Sequence, residues 1–335
     1  MKKASFGISV AVYALLTILV IAVLALTLPP LVHVTAPPPP LAKVPTPTAT
    51  AIPPTPTPLP TIAAFVPGSG APAAAAPAEA TARPPAALLP VGRTTGWNLV
   101  FQDEFAGAAL DRGKWTTCYP WFEPAKGCTS VGNDELQWYL PQQVQVANGQ
   151  LDLSVQPQRY KGTDGQTYDY VSGMVASGAG PATGPGFAFQ YGYAEARLKI
   201  PAGSGVCPAF WLNPANGSWP PEVDIAERVG NPDSNKIEMI VHYLLPQGGH
   251  DFNSTHFTGP DFSADWHVFG IEWTPNSLVW YIDGVERKRF TPVDRIPHTP
   301  MVILFTLAIR GDPGPDETVT FPATLAVDYV RVWQH

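Results

Sequence analysis

The sequence predicts an all-β chain folded as a two-sheet β-sandwich, and three observations predict it. Over residues 97–335 apolar and polar side chains alternate with the period of a strand, as in Leu151, Leu153 and Val155, or Leu278, Trp280 and Ile282 against Val279 and Tyr281. Helical periodicity is nearly absent from the same stretch. Short apolar runs separated by Gly, Pro and Asn read as many short strands joined by tight turns, the pattern of a sandwich.

Taken in order, the elements begin with Lys2 and Lys3 ahead of an uncharged run that is almost entirely apolar from Ile8 to Leu28. About 20 apolar residues cross a bilayer, whereas a cleavable signal core has about 7 to 15. Residues 1–28 are therefore predicted as an uncleaved signal anchor, a single transmembrane helix with its basic end in the cytoplasm and the remainder of the chain extracellular. Cleavage after Ala36 would instead give a secreted protein. Residues 29–90 are crowded with Pro, Ala and Thr, as in Pro53-Pro54-Thr55-Pro56-Thr57-Pro58. No core can form there, and a disordered, extended linker rising about 3.1 Å per residue is expected.

Residues 91–335 are long enough for one sizeable β domain. Strands are expected at 193–200, 237–243, 267–273, 278–282, 285–290, 301–308 and 325–333, with Asp283-Gly284 as a tight hairpin turn. Cys118 and Cys128 stand ten apart in a Gly/Pro-bearing stretch, which suits a disulfide in an oxidising compartment, and Cys207 is left as a lone buried thiol. Zinc-type ligand spacing is absent. The formal net charge is −7, with no basic cluster, which excludes a phosphate-neutralising surface for nucleic acid.

The chemistry is concentrated in Pro221-Glu222-Val223-Asp224-Ile225-Ala226-Glu227, where three carboxylates fall within six residues of strand-like sequence. In a strand Glu222 and Asp224 share one face and Val223 and Ile225 the other. Glu227 is out of phase by one, and a β-bulge with Ala226 as the extra residue would return it to the acidic face. Like charges so crowded raise one another's affinity for protons. A solvated Glu-x-Asp face is the plainer reading, but the aromatic flanks Phe210-Trp211 and Trp219 do not suit it. Two carboxyls about 5 to 5.5 Å apart, one nucleophile and one acid, are what glycoside hydrolysis with retention requires. The two Glu Cα atoms stand roughly 13 Å apart along an extended strand, so the strand must bend.

These residues resemble glycoside hydrolase family 16, in particular its laminarinase-like branch with Glu-x-Asp-x-x-Glu. The resemblance runs from about residue 97 to 334. It includes Phe101-Gln102-Asp103-Glu104-Phe105, Glu135-Leu136-Gln137-Trp138-Tyr139, Tyr191 to Arg197, Pro208-Ala209-Phe210-Trp211, Trp266-His267-Val268-Phe269-Gly270 and Asp328-Tyr329-Val330-Arg331-Val332. It implies a concanavalin-like jelly roll with a concave catalytic cleft. Glu222 matches the family's nucleophile, Glu227 its acid/base and Asp224 the carboxylate between them. Asn133, Trp138, Arg197, Trp211, Trp219 and His242 are the substrate contacts expected around the cleft. The resemblance also implies a place for a structural calcium ion at Glu104, the carbonyl of Gly149 and Asp328, while catalysis itself needs no cofactor.

The implied activity is endo-acting, retaining hydrolysis of a polysaccharide, β-1,3-glucan of the laminarin type or a mixed-linkage β-glucan, by a monomer. The alternatives are a transglycosylase, a galactanase-type relative, or a lectin-like module that binds without turnover. Three departures bear on the choice of glycan. Cys207 stands where the family usually has Trp, Arg310 where it often has Gly, and Pro221 where Gly usually precedes the nucleophile.

Overall fold

Eighteen strands and two short 3-10 turns make up the regular structure of the computed structural model, which describes residues 88–93, 95–122, 128–129, 135–180, 184–229, 233–312 and 314–335. The anchor expected at 1–28, all but the last residues of the linker expected at 29–90, and Asn133 lie outside the described residues. No helix among the described residues is long and apolar enough to cross a membrane.

Among the described residues two large sheets carry the fold, beside a two-stranded ladder of Gly178–Gly180 with Gly184–Gly186. The smaller has six strands in the order His250–Thr258, Lys236–Leu244, Glu222–Glu227, Val206–Pro214, Met301–Ile309 and Met174–Ala176. The larger runs Val285–Phe290, Ser277–Ile282, His267–Thr274, Gly192–Lys199, Ala323–Gln334, Gln150–Lys161, Thr167–Ser172 and Gln137–Tyr139. Asn98–Asp103 also pairs with Ala323–Gln334, and Val144–Ala147 with Gln150–Lys161. Pairing is antiparallel except between Gln137–Tyr139 and Thr167–Ser172.

The core lies between the sheets and follows from the alternation. Leu151, Leu153, Val155, Ala194, Ala196, Leu198, Phe269, Ile271, Leu278 and Trp280 from the larger sheet meet Phe210, Val223, Ile225, Met239, Val241, Phe305 and Leu307 from the smaller. Each of the Leu, Ile, Val, Met and Phe side chains among them gains roughly 1.5 to 3 kcal/mol on leaving water. Phe210 and Phe305, opposite one another on paired strands, stack at 4.8 Å. Because these positions fill the inner face, the alternate positions of the smaller sheet are left on its outer face, where the three acids stand.

The expected hairpin turn is present. Asp283 and Gly284 take φ of 52° and 75°, the left-handed pair of a type I′ turn. The Asp283 carboxylate accepts from the Val268 backbone N–H at 2.8 Å and pairs with His267 at 2.8 Å, so His267 closes the turn.

Candidate active site

Register decides which way the acids point. The acidic strand Glu222–Glu227 lies between Val206–Pro214 and Lys236–Leu244. Glu227 pairs with Ala209, Ala226 with Phe210 and Asp224 with Trp211, so Ile225 is the residue without a registered partner on that side. Ile225 and Ala226 together face Phe210, and both are buried on the core side. This is a β-bulge, one residue earlier than the sequence suggested, and it has the expected consequence. Asp224 and Glu227 oppose Trp211 and Ala209, which share a face, so Glu222, Asp224 and Glu227 all stand on the outer surface of the smaller sheet.

The bulge is held from behind. Beside the bulge, the Asp224 backbone carbonyl accepts the Trp280 indole N–H at 2.8 Å across the core. Lys288 reaches inward from the edge of the larger sheet and sits 4.5 Å from the Trp280 ring. Its ammonium donates to the Met239 and Asn253 carbonyls at 2.7 and 2.6 Å, while burial pushes its pKa down to about 8. One cation thus ties two strands of the smaller sheet to the core.

Burial raises the proton affinity of all three acids. For Glu222 the Asp224 charge adds to burial, against His242 and a hydrogen bond from Trp219. For Asp224 the neighbouring Glu227 adds to it, with Lys288 opposing. Glu227 is raised by burial and by Glu238, and pulled back by Cys207, Arg310 and His242. Asp224 is 3% exposed, and its Oδ2 accepts no hydrogen bond among the described residues. Such a cluster holds protons at a pH where isolated carboxyls would be ionised, as acid/base work requires.

Aromatic and polar walls flank the acids. The Trp219 indole donates to Glu222 Oε2 at 2.9 Å, and the ring is 53% exposed. His242, paired in register with Glu222, places Nε2 3.6 Å from Glu222 Oε1 and 3.5 Å from Asp224 Oδ2. Its Nδ1 lies 2.9 Å from His250 Nε2. His250 and the exposed Phe252 extend this shelf. On the other side Tyr119 lies within ring contact of Trp121, Tyr139 and Trp211, on a loop closed by the Cys118–Cys128 disulfide. The Trp211 indole donates to Thr306 at 3.2 Å. Gln137 donates to Glu135, which Tyr139 also reaches. Cys207, buried and free, lies 3.6 Å from Glu227 Oε1.

The structure therefore gathers Glu222, Asp224, Glu227, Trp211, Trp219 and His242 on one surface and excludes two other expected contacts. Arg197 is on the larger sheet with its side chain on the outer face, because Ala194, Ala196 and Leu198 take the core positions. There it pairs with Asp328 at 2.9 Å and lies over Trp266. Trp138 is 3% exposed and packs on Tyr160 and Tyr168, while its neighbours Gln137 and Tyr139 reach Glu135. The expected calcium ligands are engaged otherwise. Glu104 is held by Arg331 through two 2.7 Å hydrogen bonds, Asp328 by Arg197, and Gly149 is a turn residue with φ of 76°. Carboxylates neutralised by guanidinium groups do not make a calcium cage. Tyr119, Tyr139, His250 and Phe252 were missed by sequence reasoning; only the flanking aromatic density could have pointed to them.

Comparison with known proteins bears on the family and the fold. A model of glycosyl hydrolases family 16 matches residues 133–331. The endo-1,3-1,4-beta-glycanase EglC of Rhizobium meliloti is 35% identical over 70% of this chain and 51% of its own length. Glucan endo-1,3-beta-glucosidase A1 of Niallia circulans is 31% identical over 71% of this chain and 38% of its own. The chain thus spans about half or less of these curated relatives. The catalytic domain of an endo-1,3-beta-glucanase (laminarinase) from Thermotoga petrophila superposes with a TM-score of 0.60 at 30% identity, covering 72% of this chain and 99% of that one.

Proposed function

The chain belongs to glycosyl hydrolases family 16, and on that premise we propose that it is an endo-acting, retaining β-glycanase that hydrolyses β-1,3-glucan or mixed-linkage β-glucan. The observation that carries this reading is the bulge at Ile225 and Ala226, which returns Glu227 to the face of Glu222 and Asp224. Without it the second glutamate would point into the core.

In the proposed reaction Glu227 protonates the glycosidic oxygen while Glu222 attacks the anomeric carbon, so the leaving sugar departs and a glycosyl ester forms on Glu222. Glu227, now ionised, takes a proton from water, whose oxygen attacks the same carbon and frees Glu222. Asp224, buried between them, sets their protonation through its charge. Trp219 and His242 orient Glu222 from one side. The exposed Trp219 and Phe252 rings offer apolar faces for sugar stacking, and the acidic chain suits a neutral polysaccharide.

Calcium forms no part of this reading, since Glu104 and Asp328 each pair with an arginine. The apolar run at residues 8–28 supports a protein tethered outside the cell, and action as a monomer is part of the same proposal.

The test is incubation of the purified protein with laminarin, lichenan and agarose, followed by chromatography of the products. Oligosaccharides released from a glucan, with turnover reduced at least about 1,000-fold in Glu222→Gln, are expected. Binding without release by the wild type would make the protein a lectin. Products longer than the starting oligosaccharide would make it a transglycosylase.

A further inference from the structure

Glu227 is approached from every neighbouring element by a group that bears on its proton. Glu222 and Asp224 come from its own strand, and Glu238 and His242 from Lys236–Leu244. Arg310, which follows Met301–Ile309 and forms a β-bridge with Glu135, adds a cation. The remaining side is Val206–Pro214, whose outward positions are Cys207, Ala209 and Trp211. Ala209 lies opposite Glu227 and offers no hydrogen bond. Trp211 aims its N–H at Thr306. Cys207 alone on that strand reaches the carboxyl, with Sγ 3.6 Å from Oε1, a normal separation for a sulfur donor. It is 4% exposed and takes no part in the Cys118–Cys128 disulfide.

We propose that Cys207 is a positioning residue for Glu227, its thiol donating to Oε1 so that the carboxyl is held in one rotamer with Oε2 left to carry the transferable proton. This rests on the acid/base role given to Glu227 above. The donor must be the thiol, because an ionised carboxylate only accepts. Burial and the nearby Glu227 charge push the thiol pKa up, so it keeps its proton and remains a donor across the working range. A weak donor suits the position. A cation there would hold Glu227 ionised and unable to protonate a leaving group, whereas a thiol steadies the ion modestly and leaves the acid form accessible.

A hydrogen bond donated to the ionised form lowers the carboxyl's proton affinity, so removing it raises that affinity. The basic limb of kcat/KM, which reports loss of the proton from the acid, should therefore move to higher pH in Cys207→Ala, by about half a unit for so weak a donor. With the carboxyl freed to rotate, kcat should fall several-fold with KM on a neutral oligosaccharide little changed. Cys207→Ser restores a donor of shorter reach, and should recover most of kcat and return the basic limb toward that of the wild type.

The experiment measures kcat/KM against pH for the wild type and both variants, alongside a carbon-13 NMR titration of the Glu227 carboxyl in each. An upward shift of the basic limb and of the Glu227 titration in Cys207→Ala, reversed in Cys207→Ser, supports the proposal. An unmoved titration in Cys207→Ala, or a serine variant as displaced as the alanine one, overturns it. Thermal melts of the three proteins separate a general loss of packing, which would lower both melting temperatures and leave the titration in place. Absence of sugar release by the wild type would sink the enzymatic reading instead, and the NMR titration would still decide whether Cys207 governs Glu227.

Discussion

At the scale of the residue, Asp224 is a carboxyl held at an electrostatic cost. It is almost fully buried, its Oδ2 accepts no hydrogen bond among the described residues although His242 Nε2 stands 3.5 Å away, and Glu227 lies beside it. Its folded-state pKa is raised, so below the ordinary carboxyl range both folded and unfolded chains hold the proton and the site costs little. As pH rises the unfolded chain ionises first, and stability falls through the interval up to the folded pKa. Asparagine carries no charge in either state. Asp224→Asn should therefore melt above the wild type at pH 7 and at nearly the same temperature at about pH 4, while losing turnover. A melting temperature below the wild type at pH 7, measured by calorimetry, would contradict the account. The three acids were legible in the sequence because charge in an apolar strand is conspicuous. Arg197 stands on the far face of the larger sheet and Trp138 is buried against Tyr160 and Tyr168, and a short motif reveals neither the sheet nor the face its residues will take. Cys207 was legible as a buried thiol, but its contact with Glu227 crosses between strands.

At the scale of the element, the device that matters is the bulge and what holds it. The acidic strand gives up a regular ladder at Ile225, and the Asp224 carbonyl next to it accepts from the Trp280 indole. Trp280→Phe keeps most of the ring's bulk and deletes that donor. It should cost about 1 to 3 kcal/mol of stability, as expected for a buried acceptor left unpaired. Because the lost bond shapes the strand between Glu222 and Glu227, kcat should fall more than KM rises; denaturant unfolding and steady-state kinetics check the two halves. The seven strands given ranges from their alternation match the observed ones to within two residues at each end, while about half of the strands, many of them short, were not delimited. His250–Thr258 was one of these, because it is an edge strand in which nearly every side chain meets solvent, and its sequence, HDFNSTHFT, carries no apolar period. It nonetheless brings His250 and Phe252 beside His242, completing a wall that composition could not foretell.

At the scale of the whole molecule, burying one face of each sheet forces the other to the surface, and the smaller sheet presents there a row of acids between two aromatic walls. The sandwich was legible because a period of two recurs through the domain. The allocation of strands to sheets was not, since partners such as Gly192–Lys199 and Ala323–Gln334 are far apart in sequence. The central claim is that two glutamates on one bulged strand act on the same anomeric carbon in succession. Each displacement inverts that carbon, so two restore it. Proton NMR of the anomeric signals during the first minutes of glucan hydrolysis tests this most directly. The account predicts that the new reducing end appears as the β-anomer and only later equilibrates; initial release of the α-anomer would contradict it.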